Sequence, residues 1–285
     1  MTVVVTGASG FVGGRLVAQL QAAGVAVVAA SRWASRPDLM AVTDYAMLAD
    51  GRFAGATLVH LAQTADRAVV IKGGEAHTDA GLSLCRRLLA GPWAHVIFSS
   101  SAVVYGDDHQ DPCQVGDPTP AADPYAALKL ACEVAVTAAG GTVCRLANVY
   151  GPGMSAGTVL SDILIGVKGR GPISVRDATP VRDFVHINDV AAAFHAAINR
   201  RPGGILNIGS GRGVSIAELA RAALRAAGRD DAMVIGGQAP GGRRSHLVLD
   251  IAETESRLGW RPQIGLDEGL RGLIRADDLQ QGDRG

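Results

Sequence analysis

The chain has 285 residues, 48% of them hydrophobic and only 19% charged, so it can bury a sizeable core and lacks the composition of a disordered protein. Its 27 basic residues balance 27 acidic ones, and this neutrality argues against nucleic acid as a partner, because nucleic-acid phosphates attract basic proteins. No stretch reaches the roughly 20 apolar residues of a transmembrane helix, and the opening MTVVV carries no basic leader, so we expect no membrane partner and a cytoplasmic location.

Short β-branched runs alternate with amphipathic stretches through the first half of the chain. The predicted strands are residues 3–6, 25–30, 57–61, 95–99 and 142–146, and the predicted helices are residues 11–23, 75–90 and 124–139. Nearly continuous apolar strands that alternate with helices are typical of a parallel sheet covered on both faces. The pattern therefore predicts an α/β fold, with a Rossmann-type doubly wound parallel sheet.

A glycine-rich turn joins the first strand to the first helix. In the segment TGASGFVG, Gly7 permits a tight turn, Gly10 lets backbone approach a pyrophosphate, and Gly13 lets the helix pack closely on the strand. The N-terminus of the helix then offers free N–H groups to the anion. A plain strand–turn–helix connection is the alternative, but the position after an N-terminal strand favours a dinucleotide site.

The second strand ends at Ser31 and Arg32, and no acidic residue follows until Asp38. An NAD enzyme usually has an acidic residue here to hold the ribose 2′-hydroxyl, whereas an arginine accommodates a 2′-phosphate. We therefore predict NADP as the preferred cofactor, with NAD as the alternative. In the competing interpretation, Arg32 is a solvated loop residue.

A serine-rich strand end and a later helix contain the candidate catalytic groups. Tyr125 and Lys129 are four residues apart on the helix that begins at Pro124, so they share one helix face. A phenol with a pKa near ~10 is a poor base at neutral pH, but a neighbouring ammonium and a positive nicotinamide ring lower that pKa. Ser101 can donate a hydrogen bond to the substrate oxygen. The alternative is an ordinary exposed pair on a helix.

The residue composition of the sequence changes after Tyr150. A Gly-rich stretch occupies residues 151–180, and it is followed by a predicted helix at 188–199, a strand at 204–208 and helices at 215–227 and 252–258. The last dozen residues, rich in Asp, Gln and Gly, are expected to form a fraying tail. These pieces cannot all extend the first sheet, so we predict a smaller C-terminal lobe that forms a cleft against the first domain.

The four cysteines, at positions 85, 113, 132 and 144, show no spacing typical of a metal site. We expect reduced, mostly buried thiols and no metal.

These motifs together resemble the extended short-chain dehydrogenase/reductase family, in the branch of nucleotide-sugar epimerases and dehydratases. They occur in the family's order as TGASGFVG, HLA, SSSAVVYG, YAALK, RLANVYGPG, RDFVHINDVA, NIGSG and LGWRP. The resemblance implies that Ser101, Tyr125 and Lys129 form the catalytic triad. It also implies an NAD(P)-binding domain at residues 1–150, joined by 183–202, and a mainly substrate-binding lobe at 151–285. A homodimer built from a two-helix face that includes the Tyr125 helix is a further expectation.

The site residues divide between cofactor and substrate. Those assigned to the cofactor are Gly7, Ser9, Gly10, Phe11, Val12, Gly13, Ser31, Arg32, Leu61, Ala62, Ser99, Tyr125 and Lys129. On the substrate side, the resemblance implies that Asn148, on the loop after strand 142–146, lies between cofactor and substrate, and that Arg182 faces the substrate's phosphates. An arginine that holds the diphosphate is expected where an ungapped count reaches Pro240, and Arg243 or Arg244 can take its place.

The residues after Ser101 distinguish among the family's reactions. Dehydratases have an acidic pair there, whereas this chain has Ala102 and Val103, so elimination is disfavoured. Two reactions stay equally favoured: sugar epimerisation, and one-way ketoreduction or dehydrogenation of a sugar, in either case with a nucleotide-sugar or free-sugar substrate. The alternatives are an NADP-dependent dehydrogenase of a non-nucleotide carbonyl compound and a non-catalytic dinucleotide-binding protein. The retained Tyr125 and Lys129 argue against the last.

Overall fold

Strands alternate with helices along most of the computed structural model, which describes residues 1–33, 36–169, 171–229, 233–237 and 245–282, with side chains as far as residue 275. The strands are β1 (Thr2–Thr6), β2 (Ala26–Ser31), β3 (Met40–Ala41), β4 (Thr57–His60), β5 (His95–Ser101), β6 (Thr142–Leu146), β7 (Asn148–Tyr150), β8 (Ile173–Val175), β9 (Val181–His186), β10 (Gly204–Ile208), β11 (Gly213–Ser215), β12 (Val234–Gly236) and β13 (His246–Leu247). The helices are α1 (Phe11–Ala22), α2 (Arg67–Leu89), α3 (Pro124–Ala138), α4 (Val159–Lys168), α5 (Ile187–Arg200), α6 (Ile216–Ala226), α7 (Ala252–Leu258) and α8 (Leu266–Gly282), with short 3₁₀ turns at Tyr45–Ala49 and Ala102–Tyr105.

A seven-stranded parallel sheet forms the centre of the molecule, in the order β10-β6-β5-β4-β1-β2-β3. The strand order reverses at β1, because β2 and β3 lie on one side of it and β4, β5 and β6 on the other. In an open sheet of this kind, ligands bind in the crevice at the carboxyl ends of the strands beside the reversal. The Rossmann-type fold is confirmed.

Helices cover both faces of this sheet. Val3 and Val5 of β1 pack into a core shared with α1 and α5, whereas Val4 points the other way and packs with Leu58 and Leu88. The alternation follows from the two-residue period of a strand. Helices α2 and α3 pack against each other on the second face. Since both faces are covered, the strands are apolar along most of their length.

A second core lies in the C-terminal part of the chain, among α4, α6 and α8. Leu266, Leu270 and Leu273 recur at helical spacing in α8 and pack into this core. Helix α8 continues to Gly282, so the prediction of a fraying tail over the last dozen residues is wrong as far as residue 282. Strand β10 lies within the range predicted for the substrate lobe, yet it pairs with β6 in the large sheet. The domain boundaries stay a prediction.

Helix α2 starts eight residues before its predicted start at residue 75, at Arg67. The carboxylate of Asp66 accepts hydrogen bonds from the backbone N–H groups of Ala68 and Val69, which fixes the start. Gly74 then interrupts the helix with a φ of 59°, in the region that favours glycine. The sequence pattern captured only the segment after this break.

Among the described helices, none has both the length and the apolar character needed to cross a membrane.

Candidate active site

The glycine-rich turn after β1 leaves room for a phosphate at the start of α1. Gly7 has a φ of 70°, and a Cβ on Gly13 would overlap the carbonyl group of Gly7, so the helix packs directly on the turn. Helix α1 begins after Gly10 without a side-chain cap, which leaves its first N–H groups available to an anion. A cavity of about 340 Å³ adjoins this turn and is lined in part by Ser9, Gly10 and Phe11. The turn therefore fits the pyrophosphate of a dinucleotide.

Two other predicted cofactor positions lie beside this turn, at the end of β4. A Cβ on Gly7 would lie 3.0 Å from backbone atoms of Leu61 and Ala62. Thr6 accepts a hydrogen bond from the backbone N–H of Leu61 at 3.2 Å, which holds the ends of β1 and β4 together. The structure therefore brings the HLA segment to the edge of the sheet where the glycine-rich turn lies.

The end of β2 also reaches this edge. The hydroxyl oxygens of Ser9 and Ser31 are 2.7 Å apart, and Ser31 is fully buried. Arg32 is exposed, and its guanidinium carbon lies 5.8 Å from the centre of the Tyr45 ring. The backbone N–H of Arg32 donates to the Tyr45 hydroxyl at 3.3 Å. Arg32 is thus positioned beyond β2 with its charged group in solvent.

Helix α3 presents the candidate catalytic pair to the end of β5. Asp123 caps the helix by accepting a hydrogen bond from the N–H of Ala126 at 2.8 Å. Tyr125 and Lys129 are only 6% and 5% exposed, so the interpretation of an ordinary exposed pair is wrong. The Lys129 Nζ donates to the backbone oxygen of Ser99 at 2.9 Å, and the Ser101 hydroxyl lies close enough to the Tyr125 phenol to lower its pKa. The structure therefore brings these four predicted residues together.

Burial decides the electrostatics of the pair. It raises the pKa of the Tyr125 phenol above its ordinary value, and the nearby Ser101 hydroxyl opposes that rise. Burial also lowers the pKa of Lys129 to about 8. Desolvation is the largest cause at both groups, so burial dominates in the protein alone. The predicted lowering of the phenol pKa by the ammonium together with a positive nicotinamide ring stays a prediction.

Gln63 is a site residue that the sequence pattern did not single out. It follows β4 directly after the HLA segment, and its side-chain oxygen accepts a hydrogen bond from the Lys129 Nζ at 3.0 Å. Its side-chain nitrogen donates to the Sγ of Cys132 at 3.2 Å. The only signal for it in the sequence is its place at a strand end, which many polar residues share.

A buried ion pair fixes α3 against the sheet. The guanidinium of Arg145 on β6 donates to both carboxylate oxygens of Glu133, with the shortest contact at 2.6 Å. Ser100 donates to the same carboxylate, and the Arg145 guanidinium lies 4.7 Å from the centre of the Tyr105 ring. Because Glu133 is on the same helix as Tyr125, the pair ties that helix to β6, and the Ser100 hydrogen bond ties it to β5.

The predicted substrate residues lie on two adjacent strands. Asn148 lies on β7, not on a loop, and its side-chain nitrogen donates to the backbone oxygen of Asp183 at 3.0 Å. The guanidinium of Arg182 donates to the Ser245 hydroxyl at 2.7 Å and lies 3.6 Å from a carboxylate oxygen of Asp107. Thus Arg182 is held by protein groups. Arg243 and Arg244 lie outside the described residues.

The cysteines are free and buried. Across the residues that the structure describes, no three His, Cys, Asp or Glu side chains cluster in a way that could hold a metal ion.

Comparison with known proteins agrees with this arrangement. Residues 3–209 match the model of the NAD dependent epimerase/dehydratase family. The UDP-glucose 4-epimerase 2 of Oryza sativa subsp. japonica is 27% identical over 95% of this chain and 80% of its own length.

Solved structures extend the likeness to the whole fold. MoeE5 in complex with UDP-glucuronic acid and NAD has a TM-score of 0.83 and 26% identity, over 98% of this chain and 100% of its own. The UDP-glucose 4-epimerase of Thermus thermophilus, solved with NAD, has a TM-score of 0.82 and 26% identity, over 96% of this chain and 98% of its own.

Proposed function

The chain belongs to the NAD dependent epimerase/dehydratase family, and on this basis we propose that it is a nucleotide-sugar epimerase that inverts a hydroxyl-bearing ring carbon. The observation that carries the proposal is the burial of Tyr125 and Lys129 beside Ser101, at the sheet edge where the glycine-rich turn of Gly7 lies. The name UDP-glucose 4-epimerase, which both the rice and the Thermus proteins bear, supports C4 of a hexose as the carbon concerned.

Tyr125 is the acid and base of this reaction. Its phenolate oxygen takes the proton of the sugar hydroxyl, and the resulting phenol returns that proton when the hydroxyl is restored on the opposite face. Ser101 hydrogen-bonds the same sugar oxygen and steadies its developing charge. A bound nicotinamide supplies the acceptor and donor of the hydride and, when oxidised, a positive charge that favours the phenolate of Tyr125. Lys129 would hold the nicotinamide ribose through its ammonium group.

Substitution of Tyr125 tests the acid–base assignment. Tyr125→Phe is expected to lower turnover of UDP-glucose or UDP-galactose by about 10²–10⁴-fold while it leaves cofactor binding unchanged. Tyr150→Phe is the matched control, since among the described residues the buried Tyr150 hydroxyl has no hydrogen-bond partner. Chromatography of the two nucleotide sugars measures turnover. A Tyr125→Phe enzyme with near-full activity would overturn the proposal.

The diphosphate of the substrate is assigned to Arg182, with Arg243 and Arg244 as further candidates. Arg182 would exchange its contact with Asp107 for a phosphate, which is the stronger anion. Asn148, one strand away, is assigned to the space between sugar and cofactor. Turnover on a panel of UDP-, GDP- and dTDP-sugars tests the nucleotide, and a free sugar or a simple carbonyl compound in the same panel tests whether a nucleotide is required at all.

NADP is the proposed preference within the nicotinamide dinucleotides, although the related structures named above were solved with NAD. Ser31 and the exposed Arg32 at the end of β2 support it, because a guanidinium suits a 2′-phosphate. Arg32→Ala is expected to lower the NADPH-to-NADH affinity ratio by about tenfold. Fluorescence titration with both cofactors measures the ratio, and an unchanged ratio would refute the preference.

Net reduction of a keto-sugar is the second candidate function, and Arg32 is the observation that favours it. A reductase consumes NADPH in proportion to the ketone and forms no isomer of the starting sugar. An epimerase keeps its cofactor bound and shows no net oxidation. Absorbance at the nicotinamide band during turnover therefore separates the two functions.

A homodimer is proposed through α2 and α3, which pack against each other. Val134 on α3 is 69% exposed, and Val69 and Ile71 on α2 are about half exposed. A second copy of the chain would bury these apolar side chains. Sedimentation of the protein and of Val134→Glu tests this, since the variant should be monomeric.

The four free and buried cysteines also fit the reducing cytoplasm that we propose as the location of the protein.

A further inference from the structure

The ammonium group of Lys129 is held by neutral oxygens. Its Nζ donates to the backbone oxygen of Ser99 at 2.9 Å and to the side-chain oxygen of Gln63 at 3.0 Å. Among the described residues, Lys129 has no ion pair with a carboxylate. An ammonium has three donors, so these two contacts leave one N–H for a further acceptor. They therefore determine where the charge points.

The amide of Gln63 is itself oriented. Its nitrogen donates to the Sγ of Cys132, which is fully buried one helical turn beyond Lys129. With the nitrogen bound there, the amide oxygen faces the ammonium, and the flipped amide would place N–H donors against a cation. Gln63 is thus held in the orientation that accepts a hydrogen bond from Lys129.

We propose that Gln63 is a positioning residue for catalysis, whose amide oxygen fixes the charged end of Lys129 at the reacting pair. The inference rests on the proposed function, because it assigns Gln63 a role through Lys129. It differs from a packing role, in which any side chain of similar size would serve equally well.

The surroundings of Lys129 make the effect measurable. The Nζ lies 5.0 Å from the centre of the Phe98 ring and 5.7 Å from that of Tyr125. The titratable side chains that face it from β4, α2 and α3 are His60, Cys85, Tyr125, Cys132 and Glu133. The substitutions below replace none of these residues, so a changed titration of Lys129 reports on the hydrogen bonds that Gln63 makes to Lys129 and Cys132.

The test is a direct titration of Lys129 in the full chain. Only three lysines occur in the sequence, so lysine labelled with ¹³C at Cε gives three signals, and Lys129→Arg identifies the one that belongs to Lys129. Wild-type Lys129 is expected to titrate with a pKa of about 8. Gln63→Met, which keeps the length but removes the amide acceptor, is expected to lower that pKa by about one unit, a tenfold change in proton affinity. Gln63→Glu is expected to raise it by about one to three units.

Gln21→Met, on the exposed surface of α1, is the matched control and is expected to leave the titration unchanged. Opposite shifts in the two Gln63 variants support the proposal, and any other pattern overturns it. Circular dichroism checks that each variant folds. If Gln63→Met does not fold, Gln63→Glu alone decides the test, and a Lys129 pKa that it fails to raise overturns the proposal. The titration needs no substrate, so its failure is distinct from a failure of the proposed function, which would appear as no nucleotide-sugar turnover by the wild type. The alkaline limb of the kcat profile should follow the same two shifts.

Discussion

Breaking the buried Glu133–Arg145 pair should destabilise the protein more than replacing both partners. Glu133 and Arg145 are 3% and 4% exposed, and the carboxylate also accepts a hydrogen bond from Ser100. Removing one partner of such a pair leaves an uncompensated buried charge and costs about 3–5 kcal/mol. We therefore expect Glu133→Leu and Arg145→Met each to lower the free energy of unfolding by that amount, equivalent to a fall in Tm of roughly 10 °C.

The double variant should be more stable than either single variant, because two apolar side chains of similar volume leave no unpaired charge. Urea unfolding followed by far-ultraviolet circular dichroism measures all three free energies. Glu253→Leu is the control, since the exposed Glu253 pairs with the half-buried Arg257 at 2.9 Å, and the loss of this pair should cost less than about 1 kcal/mol. If the costs of the two single variants simply add in the double variant, the pair is not coupled and the reasoning fails.

Two further predictions concern the cofactor edge of the sheet. Gly13→Ala should destabilise the protein by about 3 kcal/mol and weaken NADPH binding, because its Cβ would overlap the Gly7 carbonyl. The control is Gly14→Ala, whose Cβ would lie 3.5 Å from the nearest atom. This control should keep near-normal stability in thermal melts. Burial lowers the pKa of His60 from 6.5 to about 3. Between these two pH values the unfolded chain binds a proton at His60 and the native protein does not, so the free energy of unfolding should fall as the pH drops from 6.5 towards 3. His60→Asn should make that fall shallower by up to about 1.4 kcal/mol per pH unit, and an unchanged slope in acid unfolding would refute the assignment.

Local patterns in the sequence were sufficient to predict much of the fold. The alternation of apolar strands and helices predicted the parallel sheet, because strand and helix periods are properties of neighbouring residues. The spacing of Gly7, Gly10 and Gly13 predicted a close helix–strand contact for the same reason. The break at Gly74 and the amphipathic spacing in α8 were also present in the sequence. Neighbouring glycines in α2 and polar residues in α8 obscured the helical pattern there.

The sequence by itself determined which groups could perform the chemistry, since the spacing of Tyr125 and Lys129 places both on one face of any helix. Only the tertiary structure decided how those groups ionise and what holds them. Burial raises the pKa of Tyr125, Gln63 meets Lys129 from the segment after β4, 66 positions earlier in the chain, and Arg182 meets Ser245. Desolvation and hydrogen bonds depend on distances through space, and chain separation carries no information about those distances.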